Sequence, residues 1–269
     1  MNNFDVELKN VSVIREDFNV LKNITLSFPS GKTSIIMGPS GCGKSTLLKV
    51  ASGIIPPDEG KVFIFGKDTF KITDNELIIM RKKNGFVFQD AALWANKTIY
   101  QNLSLPLEFH FRNFSSAEIK RRIDYMLSKI GYRESTSLRP AQLSSGECKM
   151  ISFARALITE PQLIFMDTPT ANMDSEAADR ILNIIKELKY QKKTIIVNTH
   201  NPILTSMVAD YLIVMKAGSI IEEGEFSKVV RSKNREVSNI LSDVLSKTAT
   251  YDTDILDLLS TDQQGGDII

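Results

Sequence analysis

The chain has 269 residues, long enough for one large α/β domain or two small ones, and balances 33 Lys and Arg against 32 Asp and Glu for a formal net charge of +1. That balance argues against a nucleic acid partner, which shows as a basic excess, and the runs Arg81-Lys82-Lys83 and Lys120-Arg121-Arg122 read as solvated helix faces. Cys42 and Cys148 lie in unrelated settings and give no disulfide framework, and no apolar run approaches the roughly 18 residues of a spanning helix. In chain order, β-type runs are expected over 6–9, 24–28, 33–37 and 62–65. Turn formers separate them, notably Pro29-Ser30-Gly31 and Pro56-Pro57-Asp58-Glu59-Gly60. A further strand over 85–88 ends at Gln89. From about 90 to 150 the pattern turns helical, with Ser115-Ser116-Ala117-Glu118 as a cap and first turn. Strand and helix then alternate: strand 163–166, helix 175–190, strand 194–199 and strand 211–216. Apolar strands between amphipathic helices predict an α/β fold with a mostly parallel sheet covered on both faces, interrupted by the helical block.

Gly38-Pro39-Ser40-Gly41-Cys42-Gly43-Lys44-Ser45 fits the G-x-x-x-x-G-K-[ST] phosphate-loop pattern and lies between an expected strand and helix. Its glycines let successive backbone N–H groups curl around phosphate oxygens, and the following helix turns its positive end to the same anion. Lys44 is placed to reach the β- and γ-phosphates, Ser45 to ligate Mg²⁺, and Thr46 continues the site into the helix. Cys42 fills a variable position and is read as tolerated rather than as a redox switch.

That loop occurs in many nucleotide enzymes, and the rest of the chain narrows the choice. Residues 163–167, Leu-Ile-Phe-Met-Asp, form an apolar strand ending in a carboxylate, an arrangement that holds Mg²⁺ through Asp167. Leu143-Ser144-Ser145-Gly146-Glu147 resembles the LSGGQ signature of the ABC ATPase family. Gln89 stands where that family places its Q-loop glutamine, a further Mg²⁺ ligand. His200 follows Ile195-Ile196-Val197-Asn198-Thr199 as the family's switch histidine does, and Ala171-Asn172-Met173-Asp174 resembles its D-loop. The resemblance covers residues 6–225. It implies a phosphate-loop core with a small antiparallel β subdomain and an inserted helical subdomain over about 90–155. It also implies ATP and Mg²⁺, with nucleotide held head-to-tail between the phosphate loop of one subunit and Ser144, Ser145, Gly146 and Glu147 of the other, homodimer or heterodimer. A separate transmembrane permease would be the partner. Because the N-terminus lacks the features of a signal peptide, a peripheral location on the cytoplasmic face of the cell membrane is expected.

Two positions depart from the family pattern. After Asp167 the family has Glu, which polarises the attacking water, and here Thr168 stands. A neutral hydroxyl can bond water but cannot take its proton near pH 7. Turnover is then slow, or His200 partly substitutes, or a complete partner in a heterodimer hydrolyses. Arg15 takes the place of the aromatic residue that stacks on adenine, and either stacks by its guanidinium or points to solvent. Ser145 replaces a glycine but keeps the backbone N–H.

Arg15 together with residues 86–107 looks most like the Mla-type ATPases that work with MCE-domain proteins in lipid transport. Trp94 lies where the family docks its membrane partner, and is either part of that surface or a buried core residue. Residues 226–269 form a tail beyond the family pattern. Val237, Ile240, Leu241, Val244 and Leu245 follow helical spacing, and Ile255, Leu256, Leu258 and Leu259 continue in an acidic setting. The tail is read as a helix packed on its own domain, or as an arm for the other subunit or a small accessory protein. Three functions are open at this point: a transport motor, a nucleotide-binding scaffold that signals by dimerising without fast turnover, and an ABC ATPase acting on nucleic acid or ribosomes. The last lacks the second cassette or long coiled coil it normally carries.

Overall fold

The computed structural model describes residues 3–16 and 18–246. The chain divides into two compact units, one formed by residues 1–70 and 196–269, the other by 71–195.

In the first unit, β1 (Phe4–Arg15) and β2 (Phe18–Pro29) are long antiparallel partners, and β4 (Glu59–Ile64) and the short β5 (Lys67–Asp68) extend the sheet in the order β2-β1-β4-β5. Alternate residues such as Val6, Leu8, Val11 and Val13 are buried, as expected of strands with one solvated face. This is the small antiparallel subdomain. A second set of strands reads β10-β9-β3-β8: β3 (Thr33–Met37), β8 (Thr194–Asn198), β9 (Tyr211–Lys216) and β10 (Ser219–Glu225). β3 and β9 run parallel, β10 closes back antiparallel on β9, and every residue of β3 and β8 is buried. Helix α1 (Lys44–Ala51) follows β3 directly and buries Leu47, Leu48, Val50 and Ala51.

After β10 come α8 (Phe226–Val229) and α9 (Arg235–Ser246). Val237, Ile240 and Leu241 of α9 are buried, and Glu236 pairs with Lys216 at the end of β9. The first half of the apolar stripe is therefore buried. The side chains of Val244 and Leu245, and residues 255–259, lie outside the described part.

The second unit holds the parallel pair β6 (Asn84–Val87) and β7 (Leu163–Asp167) together with the helices. These are α2 (Asp74–Lys82), α3 (Ile99–His110), α4 (Ser116–Ile130), α5 (Ser145–Leu157) and α6 (Ser175–Tyr190). The α7 helix (Pro202–Val208) belongs to the first unit. Four of the helices open with a reciprocal capping box: Thr73 with Glu76, Thr98 with Gln101, Ser115 with Glu118, and Ser144 with Glu147. Each satisfies two amides that a helix end leaves without partners, so the sequence fixes where these helices begin. Among the described residues no helix is long and apolar enough to cross a membrane.

Candidate functional site

In the first unit, β3 delivers the chain into the phosphate loop at Gly38. A Cβ there would sit 2.2 Å from the Met215 carbonyl oxygen of β9, so the loop turns against the neighbouring strand only because residue 38 is glycine. The base of the loop is buried at Gly38, Cys42 and Lys44, and its crest, Pro39-Ser40-Gly41, is exposed. Gly43 caps α1 in the left-handed region at φ 104°, and a Cβ there would meet the Val20 carbonyl at 2.8 Å. The first turn of α1 contains no acidic residue, so its positive end is left for an anion.

Lys44 lies 6% exposed, its ammonium donating to the Gly38 and Pro39 carbonyls at 2.8 Å each. It is folded along the inside of its own loop. Asn198, at the end of β8, donates to the Ser45 hydroxyl at 3.4 Å. Two residues on, His200 is half-buried, and burial, seconded by the charge of Lys44, lowers its pKa below 6.5. The imidazole is thus held neutral near pH 7. Burial raises the Cys42 thiol while Lys44 pulls it the other way, which keeps the sulfur protonated and agrees with a tolerated residue. Arg15, at the exposed end of β1, donates to the Ile14 carbonyl at 2.8 Å and lies 3.7 Å from Asp58.

In the second unit, β7 is buried throughout and ends in Asp167, 2% exposed. Thr168 follows in the left-handed region at φ 46°, uncommon for a β-branched residue. Its hydroxyl is buried without a hydrogen-bond partner, and its carbonyl accepts from the Ala171 amide at 3.2 Å. Asp174 caps α6 by accepting from the Ala177 amide at 2.8 Å. In the signature segment, Glu147 accepts from the Ser144 amide and hydroxyl at 2.8 and 2.7 Å. These two side chains are committed to the helix end, whereas the first-turn amides of Ser145 and Gly146 point out along the axis. Gln89 is exposed just beyond β6.

Trp94 is 51% exposed, so it is not a core residue. It lines a cavity of about 450 Å³ with Arg81, Phe88, Ala92, Leu105 and Arg155. Asn102 of α3, 2% exposed, fixes that wall: it accepts from the Trp94 amide at 2.9 Å and donates to the Trp94 carbonyl at 3.2 Å.

The phosphate loop, Asn198 and His200 thus lie in one unit, and Asp167, Thr168, Gln89, Asp174 and the signature in the other. Sequence reading missed Asn198, although a polar residue ending an apolar strand was a visible signal. It also missed Lys149, Arg155 and Asn102, which look like ordinary polar helix positions.

A family model described as ABC transporter matches residues 21–171. The methionine import ATP-binding protein of Acinetobacter baylyi is 33% identical over 82% of this chain, and the chain spans 63% of that protein's length. The ATP-binding protein of the intermembrane phospholipid transport system of Haemophilus influenzae is 31% identical, over 90% of this chain and 91% of that protein. A dimeric ATP-binding cassette solved in a post-hydrolysis state with ADP and Pi aligns with a TM-score of 0.76 and 35% identity, over 82% of this chain and 98% of that one.

Proposed function

The chain belongs to the ABC transporter family, and from that premise we propose that it is the ATP-binding subunit, coupling ATP binding and hydrolysis to transport by a separate membrane permease. The observation that carries this reading is the phosphate loop: a glycine-shaped turn with a buried lysine inside it and a helix end free of acidic residues behind it. The donor set suits a triphosphate with its cation. Amides and an ammonium meet phosphate oxygens, and the Ser45 hydroxyl and the Asp167 carboxylate are hard oxygen ligands for Mg²⁺.

Lys44 exchanges its two loop carbonyls for phosphate oxygens. On the family resemblance, Ser45 in the first unit and Asp167 and Gln89 in the second would be the metal ligands, and a bound Mg²⁺ would draw charge off the terminal phosphate. The amides of Ser145 and Gly146 would face the phosphates of a second subunit in a head-to-tail dimer; the similar solved cassette is dimeric. Neutral His200 accepts a proton or a hydrogen bond from the attacking water, and Thr168 contributes a hydroxyl where the family has a carboxylate. Arg15 would stack on the base only by leaving the Ile14 carbonyl and Asp58, and otherwise points to solvent.

The groove at Trp94 is where the permease would dock, and a subunit docked so would lie peripherally on the cytoplasmic face of the membrane. The cargo we propose is phospholipid, on the likeness of Arg15 and residues 86–107 to the Mla type and the similarity to a phospholipid-transport relative. Lipid co-purifying with the assembled transporter supports it, and amino acid uptake by that transporter refutes it. The unpartnered Thr168 hydroxyl favours a second reading, an ATP-gated scaffold with little turnover. The test of the main reading is calorimetric titration of the full chain with Mg-ATP: parent binds and Lys44→Ala does not. Equal affinity in a folded Lys44→Ala variant refutes the assignment.

A further inference from the structure

Helix α5 carries two cations, buried Lys149 and half-buried Arg155, that the nucleotide chemistry does not use. Lys149 is 3% exposed, and its ammonium donates to the Phe88 and Gln89 carbonyls at 3.1 and 2.7 Å. Arg155, nearer the end of the helix, donates through its two terminal nitrogens to the Ala92 and Ala91 carbonyls at 2.9 and 3.2 Å. Among the described residues, these four carbonyls are the cations' hydrogen-bond partners, and neither cation makes an ion pair. Burial lowers the pKa of both, opposed at Lys149 by the charges of Asp167 and Asp90.

The segment so held is unusual. Ala91 and Ala92 are consecutive left-handed residues, at φ 64° and 48°, a conformation that L side chains rarely adopt. Such a pair persists where its surroundings over-determine it. Here Arg155 supplies the constraint on the α5 side, and Asn102 anchors the chain again at Trp94. A desolvated cation spent on carbonyls of one loop is a clamp, because those bonds offset its desolvation, aided at Lys149 by the charges of Asp167 and Asp90.

We propose that Lys149 and Arg155 are positioning residues that lock the Gln89 loop to the signature helix, so that helix and loop move as one body. Any displacement of the Ser145 end of α5 then reaches Gln89 and the groove wall at Ala92 and Trp94 without loss in a flexible connection. The coupling half rests on the proposed roles of Ser145 and the groove; the clamp itself rests on the hydrogen bonds.

The full chain allows a clean test, because Trp94 is its only tryptophan. Lys149→Met and Arg155→Met remove each cation while keeping much of its volume. Hydrogen exchange of the nucleotide-free chain should quicken about tenfold or more over residues 88–94, with β7 and α6 unchanged. Lys149→Arg should retain parental exchange, and Arg155→Lys, with one ammonium for two carbonyls, should quicken exchange around residue 92. If a Met variant loses core protection, this conservative pair carries the test. Unchanged exchange over 88–94 in folded Arg155→Met and Lys149→Met chains overturns the clamp. In a second arm, saturating Mg-ATP should shift Trp94 emission in the parent, and the Met variants should bind ATP with the shift lost. A parent that binds ATP with no shift, or Met variants that keep it, overturns the coupling. Failure of the parent to bind ATP defeats the nucleotide reading and with it the coupling, while the exchange arm still decides the clamp.

Discussion

Replacing Thr168 by glutamate tests the chemical deficit directly. Thr168 is a β-branched residue in the left-handed region with a buried hydroxyl that lacks a partner. The conformation costs about 1–2 kcal/mol and the lone hydroxyl about 1–3 kcal/mol more. Glutamate is unbranched at Cβ and carries its polar group farther from the backbone, so it adds no backbone penalty that Thr168 has not already incurred. What it adds is a proton acceptor one residue after Asp167. A general base supplies about 10²–10⁴ in rate, equivalent to about 3–5 kcal/mol of barrier. Thr168→Glu is therefore expected to raise single-turnover hydrolysis of Mg-ATP in the assembled transporter by up to that factor, with little change in ATP affinity. If opening or release limits the cycle, the steady-state gain is smaller than the single-turnover gain. Thr168→Gln, matched in shape but unable to take a proton, should stay at the parental rate. Equal single-turnover rates for parent and Thr168→Glu would mean that another residue already serves as base. An equal gain from Thr168→Gln would mean that shape, not proton acceptance, was missing.

The chain has two histidines, His110 and His200, and burial holds both pKa values below 6.5, aided at His110 by Lys82 and Arg81. Below pH 6.5 the unfolded chain then binds more protons than the folded one, so stability should fall as pH drops through that range; an NMR titration midpoint at or above 6.5 for either ring, assigned with His→Gln variants, contradicts this. Removing residues 247–269 should leave the melting temperature nearly unchanged, whereas removing 235–269 strips away buried Val237, Ile240 and Leu241, worth about 1.5–3 kcal/mol each. Equal melting of the two truncations would show that α9 adds nothing to its unit. At φ 48°, Ala92→Gly should be near neutral, since relief of left-handed strain is offset by the flexibility of glycine in the unfolded chain, and Ala92→Val should destabilise by about 1–2 kcal/mol; thermal melts that fail to separate the two would refute the strained backbone at Ala92.

What the sequence made legible follows from how each element buries its residues. The strands at Thr33–Met37 and Tyr211–Lys216 and the helix at Ser175–Tyr190 have the expected bounds, because a continuous apolar run or a clean apolar stripe marks each. β1 and β2 run far beyond the expected 6–9 and 24–28, since Asn10 and Asn23, at φ 52° and 48°, sit where the register shifts and interrupt the alternation. β10 was hidden because Ser-Ile-Ile-Glu-Glu-Gly-Glu reads as a polar loop; as an edge strand it tolerates three glutamates. The turn of the phosphate loop was legible because close backbone approach dictates its glycines, and Asp167 because a carboxylate ending a wholly buried apolar strand stands out. The partners of Lys149 and Arg155 were not, because nothing in helical spacing tells a cation facing solvent from one facing a carbonyl.

Strain in the second unit occurs beside the proposed chemistry at both Ala91-Ala92 and Thr168, but its causes differ. At Thr168 the constraint is local: a fully buried strand fixes Asp167, and the chain must turn at once, with the Ala171 amide closing on the Thr168 carbonyl. Any residue at 168 inherits that turn, so its side chain can change from hydroxyl to carboxylate without moving Asp167. At Ala91 and Ala92 the constraint is tertiary, supplied by a guanidinium on α5. A local turn survives a shift of the neighbouring helix, and a clamp made by that helix follows it. On this ground the Asp167–Thr168 corner would stay a fixed point for the proposed chemistry, while under the proposed clamp the loop after Gln89 would follow α5.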